Sequence, residues 1–208
     1  MIALILHRDQ RRRSDMGGLP VSSLKFRLIP ILLLIATNPS YALDARHPDP
    51  VSVVAAAFAA QNVGNADAAT AFYTDDALIS NTRGKTMNGK EGVRHFHEAN
   101  RAANVQFSLG SGPTVDGNKV TIRNTTTIDF FEKVGLGPVE VGNIIIVEAD
   151  KIKSFLPFYP LAAVARIDEA CRQHGAGILF FGRPCSEFVD GARAHTSHLI
   201  AEGIVSRE

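Results

Sequence analysis

The stretch Val53–Ile79, which reads VVAAAFAAQNVGNADAATAFYTDDALI, decides the fold. It is preceded by Asp49, which can cap a helix, and by Pro50, which suits the first helical position. Apolar residues then recur at helical spacing until Gly64. We therefore predict a first helix that begins at Pro50 and ends before Gly64.

The second half of this stretch predicts a shorter helix and a strand. Asn65 can cap a helix over residues 66–73, and the polar pair Asp75 and Asp76 is expected to form the turn that ends it. We interpret the two aspartates as this turn rather than as a catalytic carboxylate pair. The short apolar segment over residues 77–81 predicts the first strand.

Downstream, helical periodicity gives way to alternation. A third helix is predicted over residues 90–103, with one inward face formed by Val93, Phe96, His97 and Asn100. Period-two alternation then predicts strands over residues 105–109, 119–131, 139–148 and 152–159. Helices around a mostly antiparallel meander are typical of the α+β class.

Residues 160–208 are patterned more weakly and are interpreted as a C-terminal extension of unknown role. Helices are predicted over residues 161–173 and 186–202, with a short apolar stretch over residues 178–181 between them. The domain before the extension is predicted to span residues 43–159.

The first 42 residues have the layout of a secretory signal. Lys25 and Arg27 precede the apolar run Leu28–Thr37, and the small residues Ser40 and Ala42 occupy the positions expected before a cleavage site. The run is too short to span a bilayer, which takes about twenty residues. We predict cleavage after Ala42 and a periplasmic or secreted protein that meets the membrane only through this segment. An uncleaved anchor or a buried core segment is the alternative.

Removal of this leader changes the charge of the protein. The 208-residue chain carries 22 basic and 21 acidic residues, net +1, which gives no basic excess for binding nucleic acid. Residues 1–42 contain six of the basic and two of the acidic residues, so the remaining 166 residues carry 16 and 19, net −3. We expect a mildly acidic mature protein without a nucleic-acid partner.

The chain has two cysteines, Cys171 and Cys185, and both lie in the C-terminal extension. An oxidising compartment permits a disulfide that closes the short loop between them. Two free buried thiols are the alternative, because sequence alone does not fix the Cα separation.

Three segments together resemble the SnoaL-like branch of the nuclear transport factor 2-like superfamily: the opening stretch, MNGKEGVRHFHEA over residues 87–99, and NIIIVEADKIKSFLPFY over residues 143–159. The resemblance covers residues 50–159. It implies a cone-shaped fold, in which a curved, mostly antiparallel sheet wraps around three N-terminal helices. It also implies a pocket at the open end and dimerisation through the outer sheet face.

The superfamily includes isomerases, cyclases, epoxide hydrolases and dehydratases, so the resemblance alone does not give an activity. The ketosteroid isomerase pattern places a general-base aspartate after the first strand, where this chain has the segment Ser80–Gly84, SNTRG. The epoxide hydrolase pattern needs two aspartates bridged by an arginine. Arg123 and Asp129 lie roughly 20 Å apart along one predicted strand, and no second aspartate is evident. We expect neither catalytic pattern.

Polar residues on predicted inner faces are the remaining site candidates. Asn124 and Thr126 interrupt the apolar face of the longest predicted strand, as ligand-binding groups or as partners of each other in the core. His97 faces inward as a candidate acid–base catalyst or as a satisfied core histidine. The family layout puts Tyr73 and Asn81 near the pocket mouth, as ligand-binding groups or as a packing aromatic and a loop amide.

No cofactor and no resident metal are expected. His95 and His97 point about 200° apart on a helix, which argues against a shared metal. His195, His198 and Glu202 have helical ligand spacing, but a solvated helix explains that spacing as well.

These observations favour an exported SnoaL-like homodimer that binds a small, largely apolar molecule in its cone. Any catalysis would be acid–base chemistry such as isomerisation, cyclisation or hydration. The alternative is a non-catalytic ligand-binding module, or an assembly module that uses the outer sheet face.

Overall fold

The computed structural model describes residues 48–110, 112–174 and 179–207 of the chain. The predicted secretory signal, residues 1–42, lies outside them. Within these ranges, no helix is long and apolar enough to cross a membrane.

Helices and strands alternate irregularly along the chain, as expected for the α+β class. The helices are α1 (Pro50–Asn62), α2 (Ala66–Ala71), α3 (Gly89–Ala102), α4 (Asp129–Lys133), α5 (Leu161–His174) and α6 (Cys185–Ala201). The strands are β1 (Tyr73–Ser80), β2 (Thr86–Asn88), β3 (Gln106–Leu109), β4 (Thr114–Asp116), β5 (Lys119–Thr127), β6 (Val139–Glu148), β7 (Lys151–Phe158), β8 (Leu179–Phe180) and β9 (Arg183–Pro184).

The main sheet has the strand order β2-β1-β7-β6-β5-β3, with β4 also paired to β5. Its pairings are antiparallel except for β1 and β7, which run parallel, with Tyr73 opposite Ile152 and Ile79 opposite Phe155. The α+β prediction with a mostly antiparallel sheet is confirmed, and the one parallel pair makes the sheet mixed. β8 and β9 form a separate small hairpin.

Helix α1 begins where the sequence predicts it, because the Asp49 carboxylate accepts a hydrogen bond from the Val51 amide at 3.4 Å. The buried side chains of α1 pack on one face of the sheet, which we call the inner face. Phe58 stacks on Phe107 of β3 with ring centroids 4.8 Å apart. Burial of each such aromatic side chain contributes about 1.5–3 kcal/mol to stability.

The predicted turn at Asp75 and Asp76 is wrong, since both residues lie inside β1 and α2 ends at Ala71. The β1–β7 pairing changes register between Tyr73 and Leu78, so the aspartates sit in an irregular part of the strand. Lys90 pairs with Asp75 at 2.7 Å and Lys153 pairs with Asp76. These hydrogen bonds lower the pKa of both carboxyl groups, so the lysines compensate two acidic residues placed in a strand.

The predicted strand over residues 119–131 is too long, because β5 ends at Thr127 and the chain enters the short helix α4. The alternation of buried and exposed residues holds from Val120 to Thr126. Beyond it, Phe131 rather than Phe130 is the fully buried residue. The reason is that α4 orients the Phe131 side chain towards a hydrophobic cluster. Phe131 packs there with residues that follow position 159, which we call the C-terminal segment.

The segment after β7 shares this cluster with the end of the sheet. Phe180 and Phe188 pack against Phe131 and Tyr159 of the preceding domain. The Thr196 hydroxyl also donates to the Tyr159 carbonyl at 2.7 Å. Helices α5 and α6 are therefore part of the same core as the sheet.

A disulfide joins Cys171 of α5 to Cys185 at the start of α6, with the Cα atoms 5.8 Å apart. Later in α6, Leu199 packs on Ile144 and Phe158. Because side chains alternate along a strand, Ile144 lies on the opposite sheet face from its buried neighbour Ile145. Helix α6 thus covers part of the outer face, and homodimerisation through that face stays a prediction.

Candidate ligand-binding cavity

A cavity of about 320 Å³ lies between the inner sheet face, α3 and the C-terminal segment. Its apolar lining is formed by Met87, Phe96, Ala99, Val105, Phe107, Ile128, Val141, Phe155, Pro157, Tyr159, Phe181 and Phe188. Its polar lining is formed by Asn81, Thr82, Arg83, Lys85, His95, Asn100 and Thr126.

Aromatic side chains dominate the apolar part of the lining. Six rings reach the cavity, and two of them, Phe181 and Phe188, come from the C-terminal segment. Residues beyond position 160 therefore supply part of the cavity wall.

The polar side of the cavity is built on the tight turn over residues 81–85, which we call the 81–85 turn. The Asn81 side-chain oxygen accepts from the backbone amides of Arg83 at 3.0 Å and Lys85 at 3.1 Å. The Asn81 amide donates to the Lys85 carbonyl at 3.0 Å, and Gly84 donates to the Asn81 carbonyl at 2.9 Å. Asn81 thus lines the cavity, and its oxygen shapes the turn that carries Arg83 and Lys85. Its contact with a ligand stays a prediction.

Helix α6 holds the 81–85 turn in place. The Arg83 guanidinium lies over the Phe188 ring, 6.0 Å from its centroid, within the range of a cation–π contact. A Cβ at Gly191 would lie 3.2 Å from Arg83 Cγ, so the glycine gives the arginine stem its path along α6. Burial and, after it, the charge of Arg183 lower the pKa of Arg83. A guanidinium nevertheless stays charged in proteins.

Thr126 lies in the cavity lining, whereas Asn124 lies in the core. Thr126 lines the cavity, and its hydroxyl accepts from the Asn124 amide at 3.3 Å. Asn124 is outside the lining and is buried, where its oxygen accepts from the Asn143 amide. The structure therefore places Thr126 in the cavity lining and Asn124 in the core behind it.

His97 and Tyr73 lie behind the cavity wall. Both are buried outside the lining, and their rings meet edge to face with centroids 5.4 Å apart. Burial raises the pKa of the Tyr73 hydroxyl and lowers the pKa of His97 from 6.5 to about 4. His97 is thus a core histidine that burial keeps neutral, and its catalytic role and the ligand contact of Tyr73 stay predictions.

Arg83, Lys85 and Phe188 line the cavity without having been predicted as site residues, and His95 lines it although it was considered only as a metal ligand. For Arg83 and Lys85 the sequence does contain an indication, because Asn81 and Gly84 are typical of a tight turn that would place the two cations side by side. Phe188 had no local signal, since its contact with the cavity depends on the packing of α6.

The model of the SnoaL-like domain family matches residues 54–155. This region is a SnoaL-like domain. The match begins in α1 and ends in β7, so it contains the inner sheet face and α3 but neither α5 nor α6. The wall that closes the cavity from the C-terminal side is thus an addition to the SnoaL-like domain.

Several solved structures are similar to this chain at low identity. They include the epoxide hydrolase/cyclase-like enzyme SalBIII of salinomycin pyran-ring formation, with 21% identity, a TM-score of 0.49 and coverage of 55% of this chain and 92% of that one. A putative polyketide cyclase from Sinorhizobium meliloti has 20% identity, a TM-score of 0.45 and coverage of 51% and 93%. A ketosteroid isomerase-like protein from Catenulispora acidiphila, in complex with trimethylamine, has 22% identity, a TM-score of 0.46 and coverage of 55% and 90%. No curated protein matches the chain.

Proposed function

We propose that the SnoaL-like domain binds a small, largely apolar molecule in the cavity behind the 81–85 turn. The observation that carries this proposal is the volume of about 320 Å³ combined with six lining aromatic rings. At ~30 Å³ for a water molecule in the liquid, that volume accommodates roughly ten water-sized groups. Concave sites of this size and apolarity are typical of small-molecule binding.

A cavity-filling substitution tests the proposal. Ala99 lies on α3 in the cavity lining and is itself exposed, so Ala99→Trp is expected to fill the space without disturbing the core. Ala102→Trp, on the same helix but outside the lining, is the matched control. In titration calorimetry with the neutral probe 3-phenylpropanol, the unaltered chain and the control should bind, and Ala99→Trp should not. Equal binding by all three proteins would contradict the proposal.

A second candidate function is acid–base catalysis on the same molecule. The observation that favours it is His95, a titratable side chain in the cavity lining. The described lining residues include no aspartate or glutamate, and compared with the lining groups Lys85 and Tyr159, an imidazole is the side-chain type better suited to proton transfer near neutral pH. Turnover of isomerase, cyclase or hydratase substrates should then be lost in His95→Gln and kept in His97→Gln. Binding of the probe without turnover of any of these substrates would contradict catalysis and support a non-catalytic ligand-binding module.

We also propose that the protein acts outside the cytoplasm. The leader over residues 1–42 has the pattern of a cleaved signal. The disulfide between Cys171 and Cys185 supports the proposal, since such bonds persist in oxidising compartments. Expression of the full chain followed by fractionation and N-terminal sequencing tests it, and an intact leader on cytosolic protein would overturn it.

A further inference from the structure

We propose that the molecule bound in the cavity carries a carboxylate, held by Arg83 and Lys85, while its apolar body lies on the aromatic lining. This inference rests on the proposed function, because it names the chemical class of the ligand for the same cavity. It concerns the head group, whereas the proposed function concerns the apolar body.

The charges that reach the cavity are of one sign. Arg83 and Lys85 line it from the 81–85 turn, and His95 lines it from α3. In the described part of the chain, neither Arg83 nor Lys85 takes part in an ion pair. Two unpaired cations at the edge of an apolar space favour an anionic group on the ligand.

The acidic residue whose charge acts on Arg83 is already engaged elsewhere. Glu187 of α6 raises the pKa of Arg83, but its carboxylate accepts a hydrogen bond from Arg183. Arg183 itself acts on Arg83 with the opposite sign. The surroundings of Arg83 therefore do not neutralise its guanidinium.

The guanidinium is positioned before a ligand arrives. Its stem runs past Gly191 and its head lies over the Phe188 ring, so the side chain is fixed by α6. Ordering a flexible side chain on binding costs conformational entropy, and a pre-ordered arginine avoids much of that cost. The planar guanidinium also matches the two oxygens of a carboxylate.

Two amide side chains of the lining, Asn81 and Asn100, favour an acceptor group on the ligand. The Asn81 oxygen is occupied by the Arg83 and Lys85 amides. The Nδ2 amide of Asn100, a residue that is 7% exposed, has no partner among the described groups. A buried donor without a partner is costly, so a ligand that brings acceptor oxygens relieves it.

Three probes that share one apolar body and differ in head charge test the inference. Titration calorimetry with 3-phenylpropionate, 3-phenylpropanol and 3-phenylpropylamine on the purified chain should give at least tenfold tighter binding of the carboxylate than of the alcohol. The amine should bind most weakly. Raising the salt concentration should weaken carboxylate binding and leave alcohol binding unchanged, because salt screens partly exposed charges.

Variants assign the head-group site. Arg83→Gln and Lys85→Gln should each weaken carboxylate binding about tenfold and weaken alcohol binding much less, since only the carboxylate forms a charge-assisted hydrogen bond with the cation. Lys133→Gln, an exposed cation on α4 outside the lining, is the control for loss of one charge. Alcohol binding equal to or tighter than carboxylate binding would overturn the inference and keep the proposed function. Failure of all three probes to bind would overturn both.

Discussion

The Nδ1 atom of His97 and the Oε1 atom of Gln61 are hydrogen-bonded in the buried space between α3 and α1. Because an amide oxygen only accepts, the imidazole proton is on Nδ1 and Nε2 is bare. In the described part of the molecule, Nε2 has no partner. Protonation of Nε2 would place a charge in this buried space, and burial therefore lowers the pKa of His97 from 6.5 to about 4.

Acid should therefore destabilise the fold through His97. The pKa is 6.5 in the unfolded chain and about 4 in the folded one, so the unfolded state takes up the proton first as the pH falls. The stabilising contribution is full above pH 6.5 and is lost as the pH falls towards 4. Between pH 7 and pH 5, urea unfolding should show a loss of about 2 kcal/mol that His97→Gln removes.

The control for this pH effect is His174→Gln, an exposed position at the end of α5 that should keep the full dependence. His195 on α6 is buried, and burial lowers its pKa too, so it contributes in the same direction. If the free energy of unfolding of His97→Gln depends on pH as strongly as that of the unaltered protein, other groups cause the loss of stability in acid.

Gly142 of β6 should tolerate no larger side chain while Phe158 is present. A Cβ at this position would lie 2.2 Å from the Phe158 ring on the neighbouring strand. Gly142→Ala is expected to destabilise the protein by about 1–3 kcal/mol through overpacking. In a double-mutant cycle with Phe158→Leu, measured by denaturant unfolding, the alanine should cost much less. Additive effects of the two substitutions would refute the contact.

Gly84 in the 81–85 turn should be more sensitive than a glycine in an open turn. Both Gly84 and Gly117 have positive φ, +78° and +60°. A Cβ at Gly84 would lie 2.7 Å from His195 Nδ1, whereas nothing lies within 4 Å of a Cβ at Gly117. Positive φ costs alanine about 1–2 kcal/mol at either site. Thermal unfolding should show an additional loss of about 1–3 kcal/mol for Gly84→Ala alone, and equal losses would contradict the crowding at His195.

Reduction of the disulfide should destabilise the protein. Cys171 and Cys185 are 14 residues apart, and closing a loop of this length restricts the unfolded chain by about 3 kcal/mol. Urea unfolding with and without a reductant measures the difference. The double variant Cys171→Ala/Cys185→Ala should match the reduced protein and show no response to reductant, and a reductant effect in that variant would point to another cause.

Features that depend on local periodicity were predictable from the sequence. The inward face of α3, with Val93, His97 and Asn100 buried, and the alternation along β5 from Val120 to Thr126 follow directly from side-chain spacing. The family resemblance then implied the curved, mostly antiparallel sheet around them. Side-chain periodicity depends on residues that are close in sequence, and the family resemblance depends on a known pattern of such residues.

Features that depend on packing between distant segments were not predictable in the same way. The pattern of Ile128 and Phe130 continues a strand, yet contacts with the C-terminal segment bury Phe131 and favour the helix α4. The cavity was expected at the open end of a cone, but its Phe188 wall comes from α6, more than 100 residues after the 81–85 turn. His97 has the spacing of a cavity residue, and only the position of Gln61 shows that it serves the core.

Because Phe188 lies in α6 near the end of the chain, the cavity lining is completed late during synthesis. The parallel pairing of β1 needs β7, and the wall needs α6, which follows β7 in the chain. A growing chain that has released only the SnoaL-like domain from the ribosome lacks the Phe181 and Phe188 side chains of the cavity lining. The complete lining therefore forms only when nearly the whole chain has emerged.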